Sequence, residues 1–258
     1  MLKIKELEKR FLMKLHGLNK LTLLDYPEHL ACTAFTASCN FRCPFCHNGS
    51  LVLYPSSCQT ISEEEFFTFL TSRKGRLEGV CITGGEPTLQ ADLIPFIKKI
   101  KEQGFLVKLD TNGYQPNILA TLLSEHLIDM VAMDIKNSKQ QYAKTCGIPE
   151  TVFDISRIEE SISLLLCSTI PYEFRTTIVK ELHDETAMHH IGTWLKELSI
   201  KNTSKEQVTF PYFLQEFKSS EYLICGAEDV FHSHTKETLE TFVTILRTYV
   251  PNTKIRGS

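Results

Sequence analysis

Three cysteines near the start of the chain form the group of residues with the most evident chemistry. Cys39, Cys43 and Cys46 have the spacing C-x3-C-x2-C, and no fourth cysteine follows nearby. Three thiolates on one short loop can ligate three irons of a [4Fe–4S] cluster, which leaves the fourth iron without a protein ligand. An iron with an open position can bind a substrate or a cofactor. The spacing therefore predicts a metal centre that takes part in chemistry.

Two other interpretations of the three cysteines remain open from the spacing alone. One is a structural zinc site with His47 or Cys58 as the fourth ligand. The other is a group of core cysteines that bind no metal, although such residues rarely cluster this tightly. Zinc sites usually combine two separated cysteine pairs, and this chain has no second pair. The iron–sulfur cluster is therefore the favoured interpretation.

Composition narrows the class of protein. The chain has 258 residues, of which 42% are hydrophobic, and its 28 basic and 31 acidic side chains give a net charge of −3. We expect no nucleic-acid partner, because no basic stripe is present. We expect no membrane segment, because no apolar run approaches the roughly 20 residues that one needs. Nine irregularly spaced cysteines indicate a reducing compartment, and residues 1–10 lack the apolar stretch of a signal peptide, so we predict a cytoplasmic protein.

Strands and helices are predicted to alternate six times, which is typical of a parallel sheet. Residues 1–16 are expected to form an additional helix outside the core, followed by one domain over 17–258. The predicted strands cover 30–36, 79–83, 105–110, 130–135, 173–179 and 208–213. The predicted helices cover 64–73, 93–103, 117–125, 156–166, 185–198 and 236–248.

Charged residues on the predicted strands help to choose between a doubly wound sheet and a barrel. Lys108 and Asp110 share one face of their strand, as do Asp134 and Lys136, and Arg175 lies in the middle of another strand. Fully buried parallel strands are normally apolar on both faces. A partial, TIM-like (β/α)6 barrel with a polar interior explains these charges. Ligands in such folds bind at the carboxyl ends of the strands, where the cysteine loop also lies.

Two short motifs resemble the signatures of the radical S-adenosylmethionine (SAM) enzymes. The first is the cysteine loop itself, in which the aromatic Phe45 precedes the third cysteine. The second is Gly84-Gly85-Glu86-Pro87 after the second predicted strand, which is similar to the segment that meets the methionine amine of SAM. The run from Cys43 to Asn48 further resembles the activating enzymes of glycyl-radical proteins.

Five other segments resemble one group of these enzymes more specifically, the anaerobic ribonucleoside-triphosphate reductase activating proteins. These segments are Leu24-Asp25-Tyr26-Pro27, Leu109-Asp110-Thr111-Asn112-Gly113, Val131-Ala132-Met133-Asp134-Ile135-Lys136, Phe174-Arg175-Thr176-Thr177 and Leu214-Gln215-Glu216-Phe217. The similarity extends from about Gly17 to Gly257. Pyruvate formate-lyase activating enzymes share the cysteine loop, but they carry a SAM-contacting histidine near the sixth strand. This chain has Gln215 in that neighbourhood, which favours the reductase activators.

The resemblance implies a radical SAM oxidoreductase with a [4Fe–4S] cluster and SAM as cofactors. Cys39, Cys43 and Cys46 would be the catalytic cluster ligands. The residues expected to contact SAM are Phe45, His47, Gly84, Gly85, Glu86, Asp110, Thr111, Asp134, Lys136 and Arg175. Helix capping and surface charge are the alternative roles for the acidic residues and lysine of this set, and an internal ion pair with Glu173 or Asp134 is the alternative for Arg175.

The implied partners are a glycyl-radical protein, expected to be the anaerobic ribonucleoside-triphosphate reductase, and an electron donor such as flavodoxin or ferredoxin. Two alternatives remain open at this point. The chain would activate another glycyl-radical enzyme, such as pyruvate formate-lyase, or it would be a metal-binding scaffold without catalysis.

Overall fold

The computed structural model describes residues 13–203, 208–219, 223–226 and 230–256. In this part of the chain the strands are β1 Gly17–Thr22, β2 Ala31–Thr36, β3 Gly79–Gly84, β4 Leu106–Thr111, β5 Met130–Asp134, β6 Tyr172–Ile178, β7 Tyr212–Glu216 and β8 Thr253–Ile255. The helices are α1 Gly49–Leu53, α2 Glu63–Ser72, α3 Leu93–Glu102, α4 Pro116–Ser124, α5 Tyr142–Thr145, α6 Ile155–Leu166, α7 Glu185–Thr203 and α8 Lys236–Arg247. Short 3-10 turns cover Pro55–Ser57 and Pro87–Leu89.

The chain divides into two compact units. The first comprises Met1–Asn40, Ser50–Thr111 and Thr121–Val131, and the second comprises Phe41–Gly49, Asn112–Ala120 and Ala132–Ser258. Strand β5 contributes its first two residues to the first unit and its last three to the second.

The first unit is built on strands β1 to β4. Strand β1 is antiparallel to β2, whereas β2, β3 and β4 are parallel to one another. The amide of Asp129, just before β5, donates to the carbonyl of Val107 in β4 (2.8 Å). This bond links the segment that leads into β5 to strand β4. Helix α2 starts with a capping box, in which Ser62 and Glu65 exchange hydrogen bonds. Its buried Phe66 packs at 5.2 Å from Phe96 of helix α3, so both helices bury aromatic rings in the core of this unit.

The second unit continues the same pattern. Strands β6, β7 and β8 are parallel, with Phe174 opposite Tyr212 and Tyr212 opposite Thr253. The amide of Ile135 donates to the carbonyl of Arg175 (2.7 Å), which joins the end of β5 to β6. Neighbouring strands of each unit are therefore neighbours along the chain. Doubly wound sheets instead reverse their strand order at a switch point. The α/β class and the parallel sheet of a partial barrel are thus confirmed.

Several predicted boundaries were wrong. The last predicted strand, 208–213, lies instead at Tyr212–Glu216. Pro211 has no backbone N–H to donate to a neighbouring strand, so the strand starts only after it. Strand β1 has only Thr22 buried and β8 has three residues, so neither shows the alternation that predicts a strand. Helix α7 runs five residues beyond the predicted end at 198.

The expected helix over 1–16 falls mostly on residues 1–12, which lie outside the described residues. The last part of that segment is not helical. Leu15 is fully buried and forms an isolated antiparallel bridge with Ile61, and the amide of His16 donates to the carbonyl of Phe35 (2.7 Å). The division of the chain at residue 16 remains a prediction.

Candidate functional site

The cysteine loop begins where β2 ends. Cys39 belongs to the first unit, and Cys43 and Cys46 belong to the second. The amide of Cys46 donates to the carbonyl of Cys43 (3.0 Å), so these two residues share one tight turn. All three cysteines are free thiols; Cys43 is buried and the other two are half-buried. A hydrogen bond from Cys146 lowers the pKa of Cys43, whereas burial raises the pKa of Cys46.

Aromatic contacts fix the part of the loop around the third cysteine. Phe45 meets the rings of Phe217 and Phe231 edge-to-face, at centroid distances of 6.5 and 6.3 Å. His47 stacks on Phe217 at 5.2 Å and 14°, and its Nε2 is hydrogen-bonded to the carbonyl of Lys218. Phe45 is 4% exposed, so it serves here as a packing residue of the second unit. Its predicted contact with SAM remains a prediction.

The segment after helix α5 holds the start of the loop in the second unit. The amide of Arg42 donates to the carbonyl of Cys146 (2.8 Å). Gly147 has a φ of +65°, and a Cβ on it would lie 2.2 Å from the carbonyl oxygen of Arg42. Only glycine allows the two backbones to approach this closely. This backbone contact places the thiol of Cys146 next to the thiol of Cys43.

His47 and Gln215 line the same cavity of about 350 Å³ in the second unit, together with Thr177 and Lys218. Gln215 lies in β7 directly opposite Thr177 in β6. Gln215, which the sequence analysis compared with the histidine of the lyase activators, thus borders the same space as His47.

The glycine pair brings two backbone segments of the first unit into direct contact. Gly84 has a φ of +118°, and a Cβ on it would lie 2.3 Å from the carbonyl oxygen of Thr36. A Cβ on Gly85 would lie 1.9 Å from the carbonyl oxygen of Ser38. The amide of Glu86 donates to that same oxygen of Ser38 (2.7 Å). The Gly-Gly-Glu segment therefore lies against the residues that lead into Cys39, which larger side chains would prevent.

Glu86 is 1% exposed and is held by threonines of the first unit. Its Oε1 accepts hydrogen bonds from the hydroxyls of Thr111 (2.7 Å) and Thr88 (2.5 Å), and from the amide of Thr88 (3.1 Å). Sequence reasoning identified Glu86 and Thr111 but missed Thr88. The available signal was its place two residues after a carboxylate at the start of a turn, where local side-chain-to-backbone bonds form.

Asp110 is paired with a buried lysine rather than placed at the surface. Lys108 is completely buried in β4, and its Nζ forms an ion pair with Oδ1 of Asp110. The sulfur of Cys81 lies 3.9 Å from the same Nζ. The two charged residues that share one face of β4 are therefore paired with each other.

Asp134 is the centre of an ion-pair network in the second unit. Its carboxylate binds Nζ of Lys136 (2.9 Å) and both Nε and Nη2 of Arg175 (3.1 Å each). Burial opposes ionisation of Asp134, but the charges of Lys136 and Arg175 outweigh it and lower the pKa to about 2. Burial likewise opposes the charge of Lys136, and Asp134 raises its pKa above the ordinary value. The internal pair weighed for Arg175 is therefore present, with Asp134 as its partner.

The other carboxylate considered for Arg175 has a different partner. Glu173 is 3% exposed and binds Nη1 of Arg256 (2.5 Å). Neither Arg256 nor this pairing was predicted, because Arg256 lies next to the end of the chain and shows no motif.

His183 is a third residue that sequence reasoning missed. It is 1% exposed; its Nδ1 accepts from the amide of Val179 (3.0 Å), and its Nε2 donates to the carbonyl of Lys136 (2.9 Å). Burial lowers the pKa of this imidazole, which favours the neutral tautomer that both bonds require. In the sequence His183 is a single histidine after a strand, and this pattern does not indicate that its side chain holds the backbone of Lys136.

The donor set of the loop fits an iron–sulfur cluster, because such clusters take cysteine thiolates and all three cysteines are free thiols. Among the described residues, no three His, Cys, Asp or Glu side chains already stand in the arrangement of a metal site. The fit therefore rests on the chemistry of the thiols and on their common loop. Across the described ranges, every helix is too short or too polar to span a bilayer.

Comparisons with known proteins identify the family of the chain. Residues 33–191 match the family model of the radical SAM superfamily. A Methanocaldococcus jannaschii protein named "putative glycyl-radical enzyme activating enzyme" is 34% identical over 189 residues, which cover 71% of this chain and 76% of that protein. The GTP 3′,8-cyclase of Campylobacter jejuni is 27% identical over 184 residues, covering 70% of this chain and 54% of the cyclase.

A solved structure supports the fold. A radical SAM methyltransferase from Sphaerobacter thermophilus superposes with a TM-score of 0.65 over 90% of this chain and 67% of its own, at 15% identity. At that identity the likeness concerns the fold alone.

Proposed function

Because the chain belongs to the radical SAM superfamily, we propose that it is an iron–sulfur enzyme that generates a glycyl radical on a partner protein. When bound, the [4Fe–4S] cluster would supply the electron that cleaves SAM into methionine and a 5′-deoxyadenosyl radical. The observation that carries the proposal is the 34% identity to a relative named for glycyl-radical enzyme activation, over three quarters of that relative's length.

The residues of the chain divide the work by their chemistry. The thiolates of Cys39, Cys43 and Cys46 would each ligate one iron. Gly84 and Gly85 have no side chains to block close approach, and their backbone carbonyls would accept hydrogen bonds from the ammonium group of SAM. The carboxylate of Glu86 suits the same ammonium group by charge.

The ion-pair network of the second unit suits an anion. Lys136 and Arg175 bring two cationic side chains to the single carboxylate of Asp134. A guanidinium binds carboxylates with two parallel hydrogen bonds. We assign the carboxylate of SAM to Lys136 and Arg175. The contacts of Phe45, His47, Asp110 and Thr111 with SAM belong to the same proposal.

The partner we propose is an anaerobic ribonucleoside-triphosphate reductase. Its support is the set of short segments from Leu24 to Phe217 that resemble the activators of that reductase, together with Gln215 in place of a histidine. A glycyl radical is stabilised by the amide groups on both sides, so hydrogen transfer from glycine Cα to the adenosyl carbon is downhill. A flavodoxin or ferredoxin would supply the electron, in a reducing, cytoplasmic setting.

The test is an electron paramagnetic resonance experiment on the anaerobically reconstituted chain. With reductant, SAM and the reductase, we expect a glycine-centred doublet; the reductase with its radical glycine changed to alanine is the matched control. SAM cleavage without the doublet would reject the reductase as partner but keep the chemistry. No cleavage, or a colourless zinc-containing chain without absorbance near ~400 nm, would reject the chemistry itself.

Two further arms separate the rival substrates. A pyruvate formate-lyase type partner tests another glycyl-radical enzyme. GTP without a protein partner tests the reaction named for the Campylobacter jejuni relative. Consumption of GTP would favour a small-molecule reaction, whereas unchanged GTP is expected.

A further inference from the structure

We propose that the two residues that follow helix α5, Cys146 and Gly147, hold the cysteine loop in the position in which Cys43 ligates the cluster. Neither of them would be a ligand; both would be positioning residues that act through the backbone of Arg42. This inference rests on the proposed function, because it assumes that the loop binds an iron–sulfur cluster. It adds residues more than 90 positions away from the loop to those on which the cluster depends.

The backbone of Arg42 is in contact with both residues. Its amide donates to the carbonyl of Cys146 (2.8 Å). Its carbonyl oxygen lies so close to Gly147 that a Cβ on this glycine would be 2.2 Å from it. Gly147 makes this contact with a φ of +65°, a conformation that L side chains rarely adopt. Because Arg42 directly precedes Cys43, the contact fixes the backbone from which the Cys43 thiol extends.

Helix α5 connects this contact to the end of strand β5. The hydroxyl of Tyr142 donates to the carbonyl of Asp134 (3.2 Å), and the side-chain amide of Asn137 donates to the hydroxyl of Thr145 (3.0 Å). The amide of Cys146 in turn donates to the carbonyl of Tyr142 (2.9 Å). One helical turn thus joins the end of β5 to the cysteine loop.

Aromatic packing restrains Tyr142 and extends to the same loop. The side chain of Tyr142 is fully buried; its ring stacks on Phe153 at 5.5 Å and 20°, and it meets Trp194 edge-to-face at 6.0 Å. Phe153 also lies 6.2 Å from Phe41, the residue before Arg42. Groups in packed elements that hold a metal ligand from outside keep its geometry and strengthen metal binding. The helix and the two residues after it are placed to do this for Cys43.

The experiment measures how firmly the anaerobically reconstituted chain holds its iron against the chelator bathophenanthroline disulfonate. Gly147→Ala adds a Cβ that only a shift of the Arg42 backbone can accommodate. We expect the chelator concentration that removes half of the iron to fall about tenfold, a usual cost of changing a group that orients a metal ligand. The electron paramagnetic resonance spectrum of the reduced cluster should change as well. A loss of stability with the loop still in place would leave that spectrum unchanged.

Gly75→Ala is the matched control. Gly75 also follows a helix, α2, and has a φ of +73°, but a Cβ on it would meet nothing within 4 Å. The control therefore shares the backbone strain of Gly147→Ala without its steric contact. Its iron retention and spectrum should stay at the wild-type values. Equal iron retention in the two alanine variants would overturn the inference.

If Gly147→Ala does not fold, Tyr142→Phe takes its place. This change keeps the ring and removes the hydroxyl bonded to Asp134, so we expect iron retention to fall about threefold, the effect of a weak hydrogen bond. Tyr212→Phe removes another fully buried hydroxyl, which is bonded to that of Thr176 (2.6 Å), and should retain iron like the wild type. No difference between the two phenylalanine variants would then contradict the proposal.

Cys146→Ala separates support from ligation. It removes the thiol that neighbours Cys43 but keeps the backbone bond to Arg42, so iron content and retention should match the wild type. An iron loss as large as that of Gly147→Ala would show that Cys146 is itself a ligand, and the inference would be wrong. A wild-type chain that takes up no iron would refute the proposed function, and this inference with it.

Discussion

Glu86 of the first unit and Asp134 of the second are both acidic residues near the carboxyl end of a strand, yet they are stabilised in opposite ways. Glu86 accepts three hydrogen bonds from the uncharged groups of two threonines. Asp134 is bound by two cations, Lys136 and Arg175. The threonine donors of the first carboxylate are uncharged, whereas the lysine and arginine partners of the second are cationic. The comparison teaches that the partners of a buried carboxylate, rather than the carboxylate itself, decide which sign of ligand charge it suits.

The largest effect should come from the cysteine loop, on which both regions depend in the proposed function. Replacing Cys39, Cys43 or Cys46 with alanine should abolish SAM cleavage and reduce iron well below the about four atoms per chain expected of a full cluster. Iron analysis and SAM-cleavage assays after anaerobic purification measure both. Cys167→Ala, at an exposed free thiol, is the control and should behave like the wild type. Full iron content in all three loop variants would refute the assignment of the ligands.

The second-largest effect should come from removing the carboxylate of Asp134, which lies at the centre of the ion-pair network of the second unit. Asp134→Ala should destabilise the protein by about 3 kcal/mol, because it removes the carboxylate that both Lys136 and Arg175 bind in a partly buried setting. Denaturant unfolding at pH 7 gives this value. Adding Lys136→Met to Asp134→Ala should recover part of the loss. If Asp134→Ala were neutral, the network would not be an electrostatic unit.

The acid dependence of the same network is a smaller effect. The pKa of Asp134 is lowered from 3.8 to about 2, so its contribution is fully present above pH 4 and is lost as the pH falls toward 2. The shift corresponds to about 2 kcal/mol. The difference in unfolding free energy between the wild type and Asp134→Asn should therefore shrink across this window, as urea unfolding at several pH values would show. A difference that stays constant from pH 5 to 2 would contradict the assignment.

How much was predictable follows from the range of the interactions involved. Strand β3 is an uninterrupted apolar run with Gly79 to Ile82 buried, and local sequence sufficed to identify it. The cysteine loop was found by its spacing, and the glycine pair by its resemblance to a radical SAM signature. Strand β7 was misplaced because Val208 and Phe210 are apolar and buried without belonging to a strand. Burial outside the sheet looks the same in sequence as burial within it.

The partners of the site residues were less accessible to sequence reasoning. That Arg175 binds Asp134 while Glu173 binds Arg256 depends on which residues of β5, β6 and the chain end come together. Thr88 and Thr111 meet at Glu86 only because a turn and the end of β4 converge. A residue's type predicts what it can bind, but the fold decides which candidate it meets.

The smallest effect on stability, and the sharpest test of the comparison, concerns Glu86. Glu86→Gln keeps an oxygen that can accept from Thr88 and Thr111, so unfolding should cost only about 1 kcal/mol less than in the wild type. Denaturant unfolding measures this, with the exposed Glu64→Gln of helix α2 as a control that should change stability by less than about 0.5 kcal/mol. The same Glu86 variant should nevertheless bind SAM poorly, because the charge that suits an ammonium is gone. A loss of stability as large as that of Asp134→Ala would mean that Glu86 is also compensated by a cation, and the contrast between the two carboxylates would fail.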